Sequence, residues 1–124
     1  MAQLVDLLKT VRKNNKVIMV YIAEAHADDV WPLGYGISQS KNLKEKEYNC
    51  DRFLDQFPEL VELIDATLLD NMSNDFIMKT GAWPEGYFIT DPQGYIDWKC
   101  TITRTNTCQY FAEDAKRYLS SLEL

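Results

Sequence analysis

One histidine, His26, and three cysteines are all this 124-residue chain offers in metal-ligating or nucleophilic imidazole and thiol chemistry. Cys50, Cys100 and Cys108 form no Cys-x-x-Cys pair and no dense framework, which fits a reducing compartment better than a secreted disulfide scaffold. A zinc site would need Cys100, Cys108, His26 and a further ligand to converge from separated elements, so no metal is expected. Positive charge is also short. Against 19 acidic residues stand 13 Lys and Arg, for a net charge of −6, which opposes a broad phosphate-binding surface and hence nucleic acid or anionic membranes as partners. No apolar run approaches a bilayer span, and Met1-Ala2-Gln3-Leu4-Val5-Asp6 lacks the basic-then-apolar layout of a signal peptide, so a soluble, cytoplasmic protein is expected. Repeats and low-complexity segments are missing too. The length suits one domain over residues 1–124, and 46% hydrophobic content suffices for its core.

What is present concentrates near residue 20. Val17 to Ala23 is mostly β-branched or aromatic and reads as a buried parallel strand. It delivers Glu24 and His26 to its carboxyl end, where open α/β sheets place their sites. Two residues apart, the two side chains would leave one face of an extended backbone. An acid beside an imidazole raises its pKa and fixes its tautomer, which suits general acid chemistry near neutral pH.

Around that strand the pattern alternates. Leu4, Val5, Leu7, Leu8 and Val11 repeat at helical spacing until Asn14-Asn15. Trp31 to Lys41 reads as a loop, and Asn42 caps a polar helix running to about Phe57, before Pro58. Leu60 to Leu69 fits either a helix or a strand. Asp91-Pro92-Gln93-Gly94 is a turn signal joining strands Tyr87–Thr90 and Tyr95–Lys99 into a hairpin. A last helix starts at Asn106 or Thr107, with Tyr110, Phe111, Ala115, Tyr118 and Leu122 on its buried side.

The block from Tyr21 to Trp31, Tyr-Ile-x-Glu-Ala-His-x-x-Asp-x-Trp, resembles the iodothyronine deiodinases, thioredoxin-fold selenoenzymes that remove iodine from thyroid hormones, and their bacterial and protist relatives. Ile37 to Leu43 is similar to the family's Ile-x-Gln-His-x-x-Leu connection, Leu69-Asp70-Asn71 to its Met-Asp-Asn element, and Pro84 to Ile89 to its Pro-Glu-Arg-Leu-Tyr-Ile strand entry. The resemblance implies an α/β, thioredoxin-like fold with a mixed sheet flanked by helices, and makes Leu63–Leu69 a strand ending near Asp70. It implies that His26 contacts substrate, that Glu24 supports the histidine, that Tyr21 stands near the nucleophile, and that Arg104 holds a substrate carboxylate by bidentate pairing. Trp83-Pro84 is where a cis proline beside the nucleophile would fall. The family's selenocysteine or cysteine follows a strand that would precede Met1, so the first core strand and the nucleophile are absent from the chain as written. That missing strand would leave Val17–Ala23 and Leu63–Leu69 unpaired, free to close on each other or to form a homodimer. Ser40 stands in place of a proton-relaying histidine, and Gly86 in place of an arginine.

The implied activity is thiol-dependent reductive dehalogenation of a small, iodinated aromatic substrate, with a thiol reductant and no bound cofactor, in a chain inactive without its nucleophile. Two alternatives stay open: a non-catalytic binding or interaction protein of the same fold, and a thiol oxidoreductase using Cys108, at the first turn of the last helix, or Cys100. Cys50, among charged residues, is expected to be exposed.

Overall fold

The computed structural model describes residues 2–25, 27, 36–83, 85–101 and 111–121. Helix α1 (Ala2–Val11) buries Val5 and Leu7, and the Asn15 backbone and side chain both donate to the Val11 carbonyl, closing its last turn. Strand β1 spans Ile18–Tyr21, shorter at both ends than the apolar run suggests. Helix α2 (Leu43–Gln56) begins as its sequence dictates: Asn42 Oδ1 accepts from Glu45 N at 2.9 Å, and Glu45 Oε2 accepts in return from Lys41 N at 2.7 Å.

The stretch whose sequence fits both helix and strand contains both. Pro58, with its φ preset for a first helical turn, opens the single-turn α3 (Pro58–Val61), and β2 (Ala66–Leu69) follows. A short α4 (Asp75–Thr80) ends on Gly81, whose φ of 74° is the left-handed conformation a helix terminus favours in glycine. Strands β3 (Gly86–Thr90) and β4 (Ile96–Thr101) form the expected hairpin. Asp91 Oδ1 accepts from the backbone N–H of both Gln93 and Tyr95 at 2.9 Å, fixing the turn. Helix α5 (Phe111–Ser121) packs on both strands of the hairpin and on α1, with Ala115 buried and Tyr118 stacked on Trp98 at 6.0 Å between ring centroids.

The architecture is mixed α/β, but it holds two separate two-stranded sheets among the described residues rather than the single mixed sheet expected. One is the antiparallel β3–β4 hairpin. In the other, β1 pairs directly with β2 in parallel, Ile18 opposite Ala66 and Tyr21 opposite Leu69, and Asp65 N to Val17 O (2.8 Å) and Asp70 N to Tyr21 O (2.9 Å) extend the ladder at either end. The gap expected between these two strands is therefore closed within the chain, and with it the unpaired edges that motivated a homodimer. No helix among the described residues is long and apolar enough to cross a membrane.

Asp65 locks this pairing. Its carboxylate accepts from Val17 N at 2.7 Å and from Arg12 Nη2 at 2.9 Å, while Arg12 also donates to the Glu62 carbonyl. The Val17 hydrogen bond, reinforced by Arg12 against a smaller opposing effect of desolvation, holds the Asp65 carboxyl below its ordinary range. A folded-state pKa below the unfolded one contributes stability above the unfolded value of about 4, and that contribution is lost as pH falls through the folded value. Thermal melts are expected to show the largest deficit of Asp65→Asn against wild type near neutrality, narrowing below pH about 4. A deficit constant with pH would mean that the carboxylate's charge plays no part.

Candidate functional site

The carboxyl end of the β1–β2 pair gathers most of the buried polar side chains described. Tyr21, the last residue of β1, is 8% exposed, and its phenol donates a short hydrogen bond to Glu24 Oε1. Burial, then the hydrogen bond to Glu24 and its charge, push the phenol pKa far up, so Tyr21 acts only as a protonated donor. Glu24 is held from behind: its N–H donates to Gln39 Oε1 at 3.2 Å and its carbonyl accepts from Gln39 Nε2 at 3.1 Å. The carboxamide thus mimics a neighbouring strand where β1 has ended.

The structure brings Tyr21 and Glu24 together, while His26 and Arg104 lie outside the described residues, as do Asp28, Trp31, Pro84 and Cys108. The same-face expectation for Glu24 and His26 therefore lies outside the described residues; β1 itself stops at Tyr21, and the chain turns at Ala25. Ala25 and Ala27, on either side of His26, are both buried. Ser40, in the place of the family's relay histidine, accepts from Asn49 Nδ2 at 2.9 Å and so ties the loop to α2.

Cys50 is not exposed; its 2% exposure corrects the expectation drawn from its charged neighbours. Those neighbours project outward, and Cys50 belongs to the inner stripe of α2, one turn from Phe53, whose ring lies 6.4 Å from that of Tyr21. Burial foremost, then the charges of Asp51, Glu24 and Glu47, push its thiol up to about 11. It is a protonated, poorly nucleophilic thiol at neutral pH. Cys100 is equally buried and its sulfur is disulfide-bonded, while Cys50 is free. A disulfide is not what the odd cysteine count suggested.

Two further residues carry no role in the sequence-based reading. Asp70, 5% exposed at the end of β2, accepts from Asn71 N and Phe76 N at 2.9 Å and from Ile77 N at 3.3 Å, fixing the turn into α4. Lys46, 4% exposed, stands one turn before Cys50 on the same face of α2. Burial lowers its pKa and the Asp70 carboxylate draws it part of the way back. The helical spacing of Lys46, Cys50, Phe53 and Phe57 was the signal available for this face. Among the described residues no group of three or more His, Cys, Asp or Glu side chains is placed to hold a metal ion.

The fold and site define a mixed α/β protein with a phenol–carboxylate pair at the carboxyl end of two parallel strands. Searched against protein-family models and curated proteins, the chain matches none.

Proposed function

We propose that the chain carries the acid–base part of a deiodinase-like, thioredoxin-type redox domain acting on iodinated aromatic substrates. The observation that supports this reading is the Tyr21–Glu24 hydrogen bond at the end of β1, backed by Gln39, at the position where the Tyr-Ile-x-Glu-Ala-His block puts its functional side chains. The reaction replaces a ring carbon–iodine bond with carbon–hydrogen; iodide leaves, and two thiols are oxidised to a disulfide. His26 is the proton donor of this reading and Glu24 its support.

Proton donors do not break the carbon–iodine bond. That needs a thiolate or selenolate placed to meet the substrate, and neither described cysteine is so placed: Cys50 is buried and protonated, and Cys100 is buried just as deeply, whether its disulfide is formed or reduced. With thyroxine and excess dithiol, the chain as written is therefore expected to release iodide only at background, and a chain extended upstream by a strand ending in cysteine to release it steadily. Failure of the extended protein would remove the reading; robust release by the original chain, abolished by His26→Ala, would show that it already holds the nucleophile.

The disulfide at Cys100 supports a second reading, thiol–disulfide exchange. In that case, with a dithiol as the electron source keeping the chain's disulfide reduced and being itself oxidised to a disulfide, acceleration of insulin reduction by the chain as written is lost in Cys100→Ser and indifferent to His26→Ala.

A further inference from the structure

Glu24 is the first charged residue beyond β1, and the strand itself does not fix it, because β1 ends three residues earlier at Tyr21. The β1–β2 ladder gives out there as well, its last bond running from Asp70 N to the Tyr21 carbonyl. The Glu24 backbone is held instead by a side chain. Gln39 accepts from its N–H at 3.2 Å and donates to its carbonyl at 3.1 Å. A carboxamide sets a donor and an acceptor side by side, so Gln39 serves both backbone groups of one residue, as an antiparallel strand does at a hydrogen-bonded pair.

Gln39 is itself pinned on both flanks from α2. The Asn49 side-chain amide donates to the Ser38 carbonyl at 3.3 Å and to Ser40 Oγ at 2.9 Å, spending its two N–H bonds on the residues before and after Gln39. A line of hydrogen bonds therefore runs from α2 through Asn49 and residues 38–40 to the Glu24 backbone. It ends where the Glu24 carboxylate accepts from the Tyr21 phenol. We infer that Asn49 and Gln39 are positioning residues, which act through the Glu24 backbone to aim its carboxylate at Tyr21 rather than at solvent. The assignment rests on the function proposed above only for what the aimed carboxylate then does.

Tyrosine labelled with carbon-13 at Cζ reports the Tyr21 phenol by nuclear magnetic resonance in the full chain. Loss of its signal in Tyr21→Phe identifies it, and Glu24→Ala gives its position without the carboxylate. Asn49→Ala and Gln39→Leu are each expected to move the signal from the wild-type position toward that of Glu24→Ala, and to speed deuterium exchange at Glu24 N–H. Gln39→Glu keeps the acceptor for Glu24 N but loses the donor to its carbonyl, so it should move the signal less than Gln39→Leu. Alanine is the better helix former, so Asn49→Ala keeps α2. Circular dichroism checks that each variant is folded, and Gln39→Glu stands in for Gln39→Leu if the latter is not. A Tyr21 signal unmoved by substitution at either position overturns the assignment, even where Glu24 N–H exchanges faster, because both residues are then backbone supports only. Movement on substitution of Gln39 alone retains Gln39 and removes Asn49. No thiol or iodinated compound enters the measurement, so failure here leaves the dehalogenation reading to the extended chain, and failure of that chain leaves this assignment standing.

Discussion

Asp70→Ala is expected to lower folding stability by about 3–5 kcal/mol, a large share of the roughly 5–15 kcal/mol available to a small domain. The side chain is 5% exposed and serves three backbone donors, those of Asn71, Phe76 and Ile77. Alanine leaves these N–H groups without their acceptor and removes the one carboxylate that offsets the enclosed charge of Lys46. The second effect is separable. Lys46→Met in the Asp70→Ala background should recover part of the loss, because the uncompensated ammonium is gone, whereas Asp70→Asn should lie between wild type and alanine. Urea unfolding with a common slope measures all four proteins. A loss below about 1 kcal/mol for Asp70→Ala would mean that water replaces the carboxylate at no great cost.

The readable parts of the fold were those set by neighbours in sequence. The hairpin follows from Asp91-Pro92-Gln93-Gly94 because the Asp91 carboxylate satisfies N–H groups two and four residues on. Helix α2 follows from Asn42 at one end and Pro58 beyond the other. Pairing between distant segments was harder. Nothing local to Val17–Ala23 or Leu63–Leu69 says that they join each other; the Asp65 carboxylate reaching Val17 across 48 positions does so. That the β1–β2 pair and the hairpin form separate sheets among the described residues was likewise invisible.

The site divides along the same line. Tyr21 and Glu24 were both named from the sequence, Tyr21 beside a nucleophile and Glu24 behind His26, but their bond to each other was not, because three positions apart on an extended strand would put them on opposite faces. Gln39 could not be placed beside them, because its carboxamide meets Glu24 across a separation of 15 positions. Cys50 was misjudged by reading its sequence neighbours Asn49 and Asp51, where its burial depends on Lys46, Phe53 and Phe57, the residues that share its helix face. Lys46 was missed because a lysine between two glutamates looks solvated until the register of α2 is fixed.

In a chain extended upstream with a nucleophilic cysteine, His26→Ala is expected to reduce iodide release on the order of a hundredfold or more, the usual loss when a positioned general acid is removed. Tyr21→Phe should act through Glu24. The phenol spends its one donated hydrogen bond on Glu24 Oε1, so its removal frees a carboxylate that is otherwise restrained. A hydrogen bond to a charged group is worth about 1.5–3 kcal/mol, which sets a ceiling near a hundredfold. Part of that is a positioning effect on Glu24, and about tenfold in kcat is the expected outcome. Since the phenol stays protonated well above neutrality, Tyr21→Phe should lower the rate without changing the shape of the pH–rate profile. A rate indifferent to His26→Ala would remove the histidine from the mechanism. A normal rate in Tyr21→Phe alone would retain it and reduce the Tyr21–Glu24 bond to a strand-end clasp, with Glu24 held by Gln39 for structural reasons only.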